Sequence, residues 1–180
     1  YDGTTAATIA TRSLAGAEVG DDVSLIGGSA TFADKNVGTA KTVTGTGFSL
    51  SGTDAGNYSL ASSTLTTTAD ITARPLTITA AGVNKVYDGA TAATVTLSDN
   101  RVSGDVFTDS YTSAAFANKN VGTGKAVSVS GISISGTDAA NYTANTSAAT
   151  TADITARTLT ITATGVNKVY DGTATATVTL

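Results

Sequence analysis

TADITARPLTITAAGVNKVYDG (Thr68–Gly89) returns as TADITARTLTITATGVNKVYDG (Thr151–Gly172), 83 residues further on. SGTDAGNY (Ser51–Tyr58) returns as SGTDAANY (Ser135–Tyr142), and DKNVGT (Asp34–Thr39) as NKNVGT (Asn118–Thr123), both offset by 84. Tyr-Asp-Gly begins at Tyr1, Tyr87 and Tyr170. A period of this length is too long for most solenoids and suits a small, separately folded β domain, so the expected architecture is beads on a string. The repeat divides the chain into 1–73, a copy lacking its first strand; 74–156, a complete copy; and 157–180, the start of a third. The ends respect no module boundary, which fits a window cut from a longer array. A sharper reading is that 157–180 supplies the strands missing from a neighbour's first module.

Changes of offset place the insertions. The first copy is longer between Tyr-Asp-Gly and Gly20-Asp21 than the second is before Gly104-Asp105, and again after Asn57-Tyr58. Both places read as surface loops, where extra residues are tolerated. Within each copy, short apolar-polar alternation predicts half-buried strands. Leu76 and Ile78 share one face, Val95 and Leu97 another, and Leu159 to Ile161 and Val178 to Leu180 repeat both patterns. Val127 and Val129 keep that parity, but beyond Gly131 it flips to Ile132 and Ile134; Val43 gives way to Phe48 and Leu50 across Gly47 in the same way. A glycine at a parity flip predicts a bulge or bend. Asp-Gly, Asn-Val-Gly and Gly-Thr-Asp-Ala punctuate the strands as turns.

About six to seven strands per module fall in the range of an immunoglobulin-like sandwich. The expected fold is therefore all-β, in tandem Ig-like β-sandwich modules. A β-grasp module is the alternative, weakened by the lack of a convincing helix. The best helical candidate, Thr4–Gly20, aligns with a strand-then-turn stretch in the second copy. Almost no spacer separates the modules, and Pro75 stiffens one junction by fixing its φ angle; Thr158 replaces it at the next.

Composition excludes several functions. Net charge is −4, and the ten Lys and Arg are scattered singly. Neither a nucleic-acid footprint nor a polybasic membrane contact is present, and apolar runs are too short to span a bilayer. The chain begins at Tyr1 without a methionine, which leaves room for a leader upstream. There is no Cys, so no disulfide staples a module.

NKVYDG, FADKNVGT, SGTDAGNY and TTADIT occur in the same order in both copies. Together they resemble the YDG repeat domain of large bacterial secreted and surface proteins, including filamentous-haemagglutinin-type adhesins. The resemblance covers the whole chain. It implies an extracellular, cell-surface repeat with a spacer or adhesive role, and it carries no catalytic residues.

Chemistry by the common routes is hard to build. Without His or Cys there is no triad, no thiol nucleophile and no zinc set of the usual kind. The nearest approach to a cation site is a polar turn holding Asp54 and Asn57, repeated as Asp138 and Asn141. Calcium wants six to eight oxygens with several carboxylates, a density this turn lacks; Asp and Asn also cap their own turns. A Lys–Asn isopeptide bond would draw on Lys85 or Lys168 with Asn57 or Asn141, but needs a buried lysine beside an acid that shuttles the proton, and the only glutamate, Glu18, is unmatched in the second copy. Lysines on edge strands that discourage aggregation are the simpler reading. Recurring tyrosines (Tyr58, Tyr87, Tyr142, Tyr170) read as core in a module so short of large side chains.

The expectation is a stalk or spacer without catalysis and without a cofactor. Its first partners are neighbouring repeats of the same chain. Self-assembly into a filament through strand or edge complementation is a second reading, with other copies of the chain as partners. A repeated adhesive module that binds a host or matrix glycan or protein is a third.

Overall fold

The computed structural model describes residues 1–180, and every regular element longer than a 3-10 turn is a strand. In the first module β1 (Ala6–Ala7), β2 (Ser24–Phe32), β3 (Gly38–Ser51) and β4 (Thr64–Ile71) form one antiparallel sheet in the order β1-β2-β3-β4. The second module holds β5 (Arg74–Leu76), β6 (Ile78–Val83), β7 (Lys85–Val86), β8 (Thr94–Asp99), β9 (Thr108–Ser110), β10 (Ser113–Phe116), β11 (Gly122–Ser130), β12 (Ser133–Ser135), β13 (Tyr142–Ala144) and β14 (Ser147–Thr155). Its main sheet runs β10-β11-β14-β7, with β14 and β7 parallel. The β6–β8 hairpin lies against β14, and β5 pairs in parallel with β13. No α-helix forms, so the element that a β-grasp packs across its sheet is missing.

The expected periodicity is realised in burial. Val127 and Val129 on β11, Ile154 on β14 and Ile78 on β6 all point into one apolar cluster, while the intervening Ser128, Thr155 and Thr79 face out. At Gly131 (φ +66) the parity flips because the chain leaves the main sheet on β11 and joins β9 on β12. In the first module the equivalent path is one strand, β3, bent at Gly47 (φ +74).

The two modules are filled very differently. All twelve residues of the core cluster belong to the second; in the first Val43 is the one buried apolar side chain, beside the buried Gly45. The first module has no counterpart of β5 and β6 over its sheet, and Thr8–Arg12, which aligns with β8, stays outside any strand. A cavity of about 440 Å³ opens there, lined by Ile9, Ala30, Val43, Phe48 and Leu65 among others.

The third segment corrects one expectation. Leu159 to Ile161 is not in a strand, and Leu159 is 84% and Ile161 80% exposed, against 3% and 2% for their counterparts Leu76 and Ile78. They have no second layer to pack on. Beyond them β15 (Thr164–Val166) and β16 (Thr177–Thr179) pair Val166 with Thr177, reproducing the Val83–Thr94 register of β6 and β8.

Both modules interrupt the ladder just after their Asn-Val-Gly turns, between Gly38 and Lys41 and between Gly122 and Lys125. Ala40 takes φ +49 there, where the second copy has Gly124 at φ +57. Left-handed backbone costs an L-residue roughly 1 kcal/mol that glycine avoids. Ala40→Gly is therefore expected to stabilise the first module by up to about 1 kcal/mol, read as a raised denaturant midpoint with an unchanged slope.

Candidate functional site

Only Thr72 and Ala73 separate β4 from β5, so the modules meet end to face, and polar side chains fill the seam. On the first module's side Tyr1 is tied to the end of its sheet, its amino group donating to the Thr72 carbonyl at 2.8 Å. Asp2 Oδ1 accepts from the Thr4 N–H at 2.8 Å and closes the Tyr-Asp-Gly turn. Gly3 sits at φ +83, and a Cβ there would stand 2.7 Å from Val102 Cγ1 of the second module. Turn geometry and close approach both demand glycine. Nearby, Asp34 Oδ1 accepts from the Asn36 N–H and from Lys41 Nζ, fixing the turn that projects Lys35.

The second module meets these groups with two carboxylates. Asp105, in the turn after β8, has a nearly buried side chain. Its Oδ2 accepts from the hydroxyls of Tyr1 at 2.7 Å and Tyr142 at 2.6 Å, and its Oδ1 from Lys35 Nζ at 2.8 Å. Asp138 Oδ1 stands 3.5 Å from the same Nζ, while its Oδ2 accepts from the Val106 N–H at 2.8 Å. Asn141, buried, accepts from the Val37 N–H at 2.9 Å and donates to Asn36 Oδ1 at 3.3 Å. The Tyr1 and Tyr142 rings meet edge to face at 5.4 Å. One lysine is thus held by two carboxylates, and two tyrosine hydroxyls satisfy the remaining lone pairs of Asp105. Charge-assisted bonds of this kind are stronger than neutral ones.

The ionisation of these groups reflects the seam. Burial alone would raise the Asp105 carboxyl, but hydrogen bonds from Lys35, Tyr142 and Tyr1 outweigh it and hold the group below the usual carboxylate value. Lys35 is raised, chiefly by its bond to Asp105. Tyr1 and Tyr142 are raised, first by desolvation and then by the hydrogen bonds their protonated hydroxyls donate to Asp105.

A family profile described as YDG domain matches residues 1–67 and again 72–152. The chain belongs to the YDG domain family. The motifs that recur between the two copies supply the seam: Tyr-Asp-Gly and Lys-Asn-Val from one module, Gly-Asp and Asp-Ala-Ala-Asn-Tyr from the next. Comparison with curated proteins and with solved structures returned no match.

The four cation candidates are split by this geometry. Asp138 and Asn141 face Lys35 and its turn, so the positive charge their turn receives is a lysine's. A metal there would have to displace that ammonium, and no group of three or more acidic side chains converges anywhere in the chain. Asp54 accepts from the Asp22 N–H at 2.9 Å, and Asn57 is exposed. The exposed edge lysines expected at Lys85 and Lys168 are corrected: Lys85 lies on edge strand β7 but its side chain is largely covered, its Nζ donating to Asp88 Oδ1 and to the carbonyls of Ala90 and Ala92, and Lys168 lies outside any strand, clamped on Asp171. All three ammonium protons of Lys85 are used in clamping the Tyr-Asp-Gly turn, while Asn141 is bonded to the Asn36–Val37 turn and not to a lysine. Tyr142 is core, as the recurring tyrosines suggest, yet its hydroxyl serves the seam; Tyr170 is exposed.

A separate carboxylate cluster belongs to the second module alone. Arg101 pairs with Asp99 and lies 3.8 Å over the Phe107 ring; Asp109 Oδ1 is 3.8 Å from the same guanidinium and has no hydrogen-bond partner. Arg101 holds Asp99 at about 2, whereas burial and the Asp99 charge push Asp109 up. Leu25 occupies the position of Asp109 in the first module, so this cluster is no part of the repeated design.

Proposed function

We propose that this chain is a stalk or spacer segment of an extracellular bacterial surface protein, of the filamentous-haemagglutinin-type adhesin class, in which YDG modules hold a distal region away from the cell without catalysis. Each module is read as a small Ig-like β-sandwich, with β10-β11-β14-β7 as one layer and the β6–β8 and β5–β13 pairs as the other. The observation that carries the reading is the seam: Asp105 takes Lys35 and Tyr1 from the neighbouring module across a two-residue linker. A spacer must resist bending, and a short linker backed by a lysine's bond to a buried carboxylate does so where a flexible tether would not.

Small-angle scattering tests this. At neutral pH the profile is expected to fit one extended arrangement of the two modules. Because the Asp105 carboxyl is depressed by its partners, its contribution is present above the ordinary carboxylate value of about 4 and is lost as pH falls through its lower folded value. The profile should then broaden into an ensemble at acid pH. A bend ensemble already present at neutral pH would sink the spacer reading.

A further inference from the structure

The opening and closing segments of the second module run side by side in the same direction. Arg74 stands opposite Tyr142 and Leu76 opposite Ala144 where β5 pairs with β13. Further along, Lys85 stands opposite Ile154 and Val86 opposite Thr155 where β7 pairs with β14. Between these two backbone pairings lies β6, which takes β8 as its partner. Side chains make the connection across that interval. Asn145 Oδ1 accepts from the Ile78 N–H at 2.7 Å, and its Nδ2 donates to the Ile78 carbonyl at 3.0 Å. The Gly82 N–H donates to Thr150 Oγ1 at 3.3 Å, and the Asp153 N–H to Asn84 Oδ1 at 2.8 Å. Beyond β7 the Tyr87 N–H donates to the Thr155 carbonyl at 2.8 Å. Residues 74–86 and 142–155 are thus cross-linked along their whole length, and both partners of every cross-link lie inside the one complete module.

The shared direction decides what tension does. The chain enters the module at Arg74, beside Tyr142, and leaves it at Thr155, beside Val86, so entry and exit are at opposite ends of the paired segments. Pulling on the two linkers drags one segment along the other and strains all the cross-links together. Terminal segments paired antiparallel would have entry and exit at the same end, and their bonds would open one after another. A single hydrogen bond contributes only about 1 kcal/mol net, so resistance depends on whether several must break in one step. Packing opposes the same slide. Leu76 and Ile78 on one segment and Ala152 and Ile154 on the other are buried in one cluster. Gly82 lies so close to the other segment that a Cβ would stand 2.5 Å from the Thr151 carbonyl oxygen.

We propose that the YDG module bears tension, its opening and closing segments forming a brace that resists a pull applied through the linkers at either end. This goes beyond the spacer reading, which concerns bending at the seam, and it stands on one module alone. Asn84 belongs to the repeated part of the sequence, since Gly-Val-Asn-Lys-Val-Tyr-Asp-Gly at Gly82–Gly89 recurs at Gly165–Gly172. Asn145 ties the brace to the core, because the residue it holds by both backbone groups is the buried Ile78.

The chain has no Cys, so a pair of introduced cysteines fixes the direction of pull. Thr72→Cys with Ala156→Cys strains the brace along its length. Lys119→Cys with Ala156→Cys pulls β11 from β14 at the end where Gly122 faces Ile154, and peels that antiparallel pair. Thr72, Lys119 and Ala156 are all exposed. In single-molecule force spectroscopy of the full chain at one loading rate, the lengthwise pair should open the module in a single step that releases roughly 250–300 Å. Its force should be severalfold that of the peeling pair, since forced opening follows the unfolding barrier along the direction of pull. Asn145→Ala added to each pair should lower the lengthwise force and leave the peeling force unchanged, because Asn145 is at the opposite end of β14 from the peel. Equal forces in the two directions, a lengthwise opening in several small steps, or an Asn145→Ala loss as large in peeling as lengthwise each overturns the proposal. The two directions are compared in chains that keep every cross-link, so the result does not hang on the folding of the alanine variant. None of these outcomes bears on the scattering profile, so the two readings fail separately.

Discussion

Asp105→Ala should lower the stability of the second module by about 2–4 kcal/mol, because it strips a nearly buried acceptor from Tyr142, Tyr1 and Lys35 at once. For a domain of this size that is a fall in melting temperature of more than ~10 °C. Asp105→Asn is expected to fall between parent and alanine: an amide oxygen still accepts from the tyrosines, but the pairing with the lysine charge is gone. The first module supplies the control. Asp21 stands at the same place in the fold with only Tyr58 and water around it, so Asp21→Ala should cost little. Calorimetry that finds the two alanine variants equal would show that the module's own hydrogen bonds, and not the neighbour's lysine and tyrosine, give the position its weight.

Gly82→Val should cost about 3 kcal/mol by overpacking. Gly82 is in the middle of β6, where a Cβ would lie 2.5 Å from the Thr151 carbonyl oxygen and 2.9 Å from Ala152 Cβ on β14. The clash is with backbone, which cannot swing aside as a side chain can. The hairpin would have to lift off the sheet and expose Ile78. Gly165 is the same residue in the third segment and has nothing within 4 Å, so Gly165→Val should leave the denaturation midpoint unchanged. Equal effects at the two positions would mean that β6 does not lie on β14 as described.

Much of this architecture was legible in the sequence because it depends on local pattern. Alternation around Val127 and Val129 predicts the strand that buries them, and the parity flip at Gly131 marks where the chain changes partners. Insertions between the copies fall in unpaired segments, at Thr8–Val23 and Ser59–Ser63. The failure at Leu159–Ile161 is just as physical: alternation states which face would be buried, but a strand forms only where a second layer exists to bury it. The seam was not legible, since its partners lie some 70 to 104 residues apart and no periodicity links them. A signal was there nonetheless. Tyr-Asp-Gly, Lys-Asn-Val and Asp-Ala-x-Asn-Tyr are the same in both copies although they are polar, while the loops between them differ in length. Residues kept alike for packing would be apolar. Polar residues held alike in both copies point to contact with something outside the module, and the nearest such thing is the next repeat.

Because the lysine end and the aspartate end lie at opposite poles of one repeat, no repeat matches itself; each matches its neighbour. Any number of whole periods can therefore be inserted or deleted, from whatever starting point within the period, and every remaining junction is still Lys35-type against Asp105-type. The Asp34-to-Asn118 difference shows that residues beside the junction can drift as long as the turn oxygen persists. A whole repeat inserted between these two would therefore meet both neighbours through the same contact, with no compensating substitution.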